Sequence, residues 1–175
     1  TEWQAAAGQF RRERLTNIVI RRSDLPGIEL ADAKLQKGLA VLREVVERRL
    51  ALADLPVHEV FVADSLDRLI ASSGGVLRNL ILVCRYAIEA AFRGKAPHVS
   101  AELADEAVNE LRKEYEITMN GLRREELVYV LAHGEPSGRD VSLELLLGGY
   151  ALPYSNGKIW FEPHPILRGG LARRA

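Results

Sequence analysis

"SSGGVLRNLILVCRYAIEAAF", residues 72 to 92, decides the fold. Gly74 and Gly75 interrupt one helical pattern, and a second opens directly behind them. From there Leu80, Ile81, Cys84, Ala87, Ile88 and Ala91 recur at the i, i+3, i+4 spacing of a stripe that faces a core. One arginine, Arg78, stands at the mouth of this apolar helix. A cation in a first turn opposes the helix dipole unless an anion lies nearby. Either Arg78 pairs with a carboxylate at the surface, or it reaches for a phosphate.

The flanking sequence is predicted to be helical on both sides. From Ala31, residues Leu35, Leu39, Leu42, Val46 and Leu50 make an apolar stripe with charges on the other face, ending near Pro56. A shorter helix is predicted from Asp64, a favourable N-cap with Asp67 in the first turn, to Gly74. Beyond Gly94, "PHVS" leads into a helix with Ser100 as N-cap and Leu103, Ala107, Val108 and Leu111 as its apolar face. Four such helices in succession define a helical domain over residues 31 to 118.

After Tyr115 the texture changes. "LRREELVYVLAHG" (122–134) and "RDVSLELLLGGY" (139–150) read as two further helices. "YALPYSNGKIWFEP" (150–163) reads as a β-hairpin, because Asn156-Gly157 is the preferred pair for a two-residue type I′ turn. Helix, helix, hairpin is the order of the later part of a winged helix, predicted over residues 119 to 175.

Upstream, "TEWQAAAGQFRRER" (1–14) looks like the tail of a helix anchored by Trp3 and Phe10. "LTNIVIRR" (15–22) reads as one strand ending at "SDLPG" (23–27). A lone strand is not stable, so residues 1 to 30 are expected to be the tail of a larger sheet-containing core. The opening on Thr1, in mid-pattern, fits that expectation of a fragment.

Bulk composition narrows the function classes. Twenty-four basic residues balance 24 acidic ones, so no global field draws the chain to nucleic acid or to an anionic membrane. The single cysteine, Cys84, cannot make an internal disulfide, which points to a reduced, cytoplasmic setting. No apolar run reaches the length of a membrane span, so no membrane partner is expected.

Three segments carry a family resemblance: "LAVLREVVERRL" (39–50), "LDRLIASSGGVLRNLILVCRYAIEAAF" (66–92) and "HVSAELADEAVNELRKEY" (98–115). Together they resemble the four-helix lid subdomain of AAA+ ATPases, in the branch shared by origin-recognition proteins and bacterial STAND-type ATPases. The tail "LLLGGYALPYSNGKIWFEPHPIL" (145–167) looks like the small winged helix that follows this lid in bacterial members. In that family Gly-Gly-x-x-Arg opens the third lid helix, and its arginine is the second sensor, contacting the nucleotide's terminal phosphate. The match assigns that role to Arg78, with Gly74 and Gly75 shaping the turn before it. The resemblance implies ATP with magnesium in the intact protein, and an ATPase core and other protein subunits as partners. The pattern departs from the family in two respects. No G-x-x-x-x-G-K-[ST] loop occurs, nor an apolar strand ending in paired acids, so this chain alone is expected to bind no ATP–magnesium and to hydrolyse none.

The remaining candidates have plainer readings. Arg48 and Arg49 in "ERRL" sit on a solvated helix face or point toward a neighbouring subunit. The four histidines show no ligand-like spacing, and solvated or capping roles account for them. The winged helix offers Arg123, Arg124 and Lys158 to nucleic acid, the alternative being a non-enzymatic module that binds an operator or origin. Against it, residues 119 to 175 hold seven basic and six acidic side chains, and the would-be recognition helix presents Asp140, Glu144 and leucines. Trp160 and Tyr154 are expected to pack the wing or a protein partner.

Overall fold

The computed structural model describes residues 33–62, 64–155 and 159–171. The expected helix tail and strand within residues 1–32, the side chain of Leu35, and the Asn156-Gly157-Lys158 connection lie outside the described residues. Elsewhere the architecture is mainly helical with one two-stranded antiparallel sheet.

The helices form where the apolar period predicted them. Helix α1 (Ala33–Ala51) buries Leu42, Val46 and Leu50 at 4-residue spacing. It stops short of Pro56, which instead precedes a single turn, α2 (Val57–Val60). An isolated parallel bridge, Phe61 beside Val99, then pins the chain before α3 (Ser65–Ser72) to the chain before α5 (Ala101–Ile117). Asp64 does precede α3, but its side chain does not cap the helix; the carboxylate accepts from Arg68 Nε at 2.8 Å. Ser100 caps α5 as expected, accepting the Leu103 amide.

Between them runs α4 (Leu77–Arg93), which buries Leu80, Val83, Cys84, Ala87 and Ala91. Ile88, expected on that stripe, stands at its edge and is exposed, while Val83 takes a core position. Burial raises the Cys84 thiol to about 12, leaving it inert near neutral pH.

Two more helices follow, α6 (Gly121–His133) and α7 (Asp140–Leu147), then β1 (Ala151–Ser155) and β2 (Ile159–Pro163). Asn120 caps α6, and Gly134 closes it in the left-handed region at φ 71°. The register pairs Ala151 with Pro163 and Ser155 with Ile159, so three residues connect the strands where a two-residue turn would pair Ser155 with Lys158. A closing helix absent from the sequence reading, α8 (Pro165–Leu171), turns Ile166, Leu167 and Leu171 back against α3, α5 and α6. Arg112 on α5 donates to the Ile166 carbonyl at 2.7 Å. One buried cluster therefore runs from α1 to α8, joining the two units expected on either side of residue 118.

Candidate functional site

The turn between α3 and α4 is built by its own sequence. Ser73 is buried, and its hydroxyl donates to the Ile70 carbonyl at 2.7 Å while accepting the Gly75 amide at 3.2 Å. Gly74 and Gly75 then take φ values of 63° and 78°, a region that penalises any residue with a Cβ. Helix α3 thereby ends, and α4 starts at Leu77.

That start has no side-chain cap. Val76 in the N-cap position has no side chain to accept from the first-turn amides, and the first turn holds no acidic residue. Arg78, its second residue, is exposed and makes no ion pair or side-chain hydrogen bond among the described residues. By contrast Arg85, deeper on the same helix, pairs with Glu89 at 3.2 Å and lies over the Tyr86 ring. Leu80 is fully buried behind Arg78, and Leu77 and Ile81 are half-buried, so packing anchors the helix and leaves the guanidinium outside.

Behind the turn lies a polar cluster that sequence reasoning missed. Asn79 is 7% exposed and His164 is 0% exposed, against a reading of all four histidines as solvated or capping. Asn79 Nδ2 donates to the Tyr115 hydroxyl at 2.9 Å and meets His164 Nε2 at 2.8 Å. The His164 ring also packs on Tyr115, with centroids 5.2 Å apart. Burial holds the imidazole down at about 4, a shift that a backbone hydrogen bond with Ser73 only partly opposes. Burial likewise raises the Tyr115 phenol, against the Asn79 hydrogen bond and the nearby Arg78 charge. The only sequence signal for His164 was its place between Pro163 and Pro165 in an apolar stretch, "EPHPIL".

The glycines meet the hairpin here. A Cβ on Gly74 would come within 2.7 Å of Leu152 Cδ1 and 2.9 Å of Pro165 Cδ, whereas one on Gly75 would meet open space. Tyr154 is buried beside them and stacks on Trp160 with centroids 6.0 Å apart. Both hairpin aromatics thus pack within the fold, Trp160 donating to Glu162 at 3.1 Å.

The other named residues are scattered. Arg48 pairs with Glu44 at 2.6 Å on the exposed face of α1, and Arg49 is exposed beside it. Arg123 donates to the Thr118 carbonyl at 2.7 Å, pairs with Glu144 at 3.2 Å, and sits 6.0 Å from the Tyr150 ring centroid. Arg124 is half-buried, and Lys158 lies outside the described residues. His58, His98 and His133 are exposed, and no group of three His, Cys, Asp or Glu among the described residues is placed to hold a metal ion. A groove of about 300 Å³ between α4 and α5 is lined by Tyr86, Arg93 and four glutamates, Glu89, Glu106, Glu110 and Glu114. Its charge repels phosphates, and it is separate from Arg78. No helix among the described residues is long and apolar enough to cross a membrane.

No family model, no curated protein and no solved structure matches this chain.

Proposed function

We propose that the chain is the nucleotide-sensing lid and relay of a AAA+/STAND-type ATPase. In this reading α1, α3, α4 and α5 are the lid, and α6, α7 and the hairpin are a small winged helix. One observation carries the proposal: an exposed arginine without an ion pair among the described residues, at an uncapped helix start, directly after a Gly-Gly turn. An isolated cation there is poorly placed unless an anion joins it, and a guanidinium fork fits phosphate oxygens. The winged-helix part of the reading is supported by element order, and by the Phe161 amide donating to the Gly134 carbonyl at 2.7 Å, which lays β2 beside the end of α6.

Of the implied ATP–magnesium, these residues fit only the phosphate end. Arg78 would hold the terminal phosphate, and the group would supply the bond whose hydrolysis changes the charge that Arg78 meets. The metal and the remaining phosphates belong to the ATPase core proposed as the partner. Arg48 and Arg49, on the outer face of α1, are the proposed contacts to a neighbouring subunit. The outward face of α7 carries Leu143, Glu144 and Leu147, a surface suited to protein contact more than to DNA.

Photolabelling of the intact protein tests the reading. An ATP analogue with an aryl azide on its γ-phosphate should label a peptide within residues 72 to 85. Labelling confined to peptides outside that range would count against it.

A further inference from the structure

His164 is held from both sides. Prolines 163 and 165 flank it, its amide donates to the Tyr150 carbonyl at 2.7 Å, and its carbonyl accepts the Leu167 amide at 2.9 Å. The ring is therefore a rigid part of the hairpin and α8. It reaches the end of α3 through Ser73, the first turn of α4 through Asn79, and the last turn of α5 through Tyr115.

Asn79 is the next residue after Arg78, about 100° round the helix. Arg78 points to solvent and Asn79 into the core. The Asn79 amide nitrogen lies 2.9 Å from the Tyr115 hydroxyl and 2.8 Å from His164 Nε2, while His164 Nδ1 faces the Ile166 amide at 3.4 Å. Hydrogen bonds of 2.8 and 2.9 Å weaken steeply when their geometry is disturbed, and a buried polar group that loses its partner is costly. A shift of the first turn of α4 must either carry His164 with it or break this pair.

We infer that the Asn79–His164 pair is the joint that makes the first turn of α4 and the segment from Tyr150 to Leu171 move as one. An anion held by Arg78 is thereby felt at the hairpin and α8, and a partner on the hairpin is felt at Arg78. The identity of the anion rests on the sensing role proposed for Arg78; the joint itself does not.

Amide hydrogen exchange on the full chain tests the joint without nucleotide. Asn79→Leu, close to isosteric and lacking both donors, should raise exchange of amides in 150–171 at least tenfold while leaving 33–51 unchanged. Reciprocally, His164→Ala should raise exchange in 76–82, and His164→Gln, whose amide oxygen can accept from Asn79, should restore protection. Tyr115→Phe, which spares the pair, should leave 150–171 near wild type. If Asn79→Leu does not fold, Asn79→Ser is read in the same way. Exchange that rises only in 76–82, or equally throughout the chain, overturns the joint. Adding ATP to the intact protein separates the two claims. Wild type should respond at both 76–82 and 150–171, and Asn79→Leu only at 76–82. A response at 150–171 that survives Asn79→Leu overturns the joint. No response at 76–82 in wild type overturns the sensing role, and the nucleotide-free reciprocity then decides the joint.

Discussion

Gly74 and Leu152 touch so closely that a single added methyl on the glycine would lie 2.7 Å from Leu152 Cδ1. The Gly-Gly turn is thus where the helical bundle receives the hairpin, as well as where α4 begins. Gly74 also has φ 63°, so Gly74→Ala combines left-handed strain, about 1–2 kcal/mol, with overpacking of about 1–3 kcal/mol. Gly75→Ala, at φ 78° but facing open space, carries only the strain. Urea denaturation should show Gly74→Ala losing about 2–5 kcal/mol and Gly75→Ala about 1–2 kcal/mol. Equal losses would mean that the contact with Leu152 does not matter.

His164 makes stability depend on pH. Its folded value of about 4 lies below the ordinary 6.5, so the unfolded chain binds the extra proton first as pH falls. Stability is full above pH 6.5 and declines from there down to about pH 4, by roughly 3 kcal/mol in all. Melting curves between pH 7 and 5 should therefore show a steady loss in wild type and a flatter profile in His164→Gln. Parallel profiles would remove His164 as the cause.

Glu126 is a buried carboxylate whose role is structural. It is 1% exposed and accepts from the Ser137 amide at 2.8 Å, the Ser137 hydroxyl at 2.5 Å and the Ser142 hydroxyl at 2.7 Å. Burial favours its neutral form, but these donors outweigh burial and hold the carboxyl below its usual range. The stability it contributes is present above pH 4.5 and is lost as pH falls through its lowered folded value. Glu126→Ala strands those donors and should cost about 2–4 kcal/mol in chemical denaturation, with Glu126→Gln milder. A loss under 0.5 kcal/mol, about what an ordinary surface change gives, would contradict the assignment.

Nucleic acid should bind weakly. Arg123 is engaged with Glu144 and the Thr118 carbonyl, and α7 turns leucines outward. Fluorescence anisotropy at physiological salt should give dissociation constants of about 1 µM or weaker, with little sequence preference. Tight selective binding that Arg123→Ala and Arg124→Ala abolish would favour the DNA-binding alternative.

Much of the fold was legible because apolar spacing reports helices directly. Leu42, Val46 and Leu50, and then Leu80, Cys84, Ala87 and Ala91, are buried as their periods require. Asn156-Gly157 correctly marked a hairpin, although the strand register leaves three connecting residues. The misses are tertiary. Helix α8 contains Gly169 and Gly170 and has little intrinsic helix preference, so packing of Ile166, Leu167 and Leu171 maintains it. Asn79 and His164 lie far apart in the chain, and no local pattern says that two polar residues will be buried together. The exposed position of Arg78 at a helix start was legible because a lone cation there is a local anomaly.

The most direct measurement compares melting temperature and ATP response in the intact protein carrying Arg78→Ala. An exposed arginine without an ion pair among the described residues contributes little to stability, so the melting temperature should stay within about 2 °C of wild type. A charge-assisted contact with phosphate is worth about 1.5–3 kcal/mol, so the ATP concentration needed for half-maximal response should rise by roughly 10- to 100-fold. A clear fall in melting temperature with an unchanged ATP response would contradict the account, because Arg78 would then hold the fold together and sense nothing.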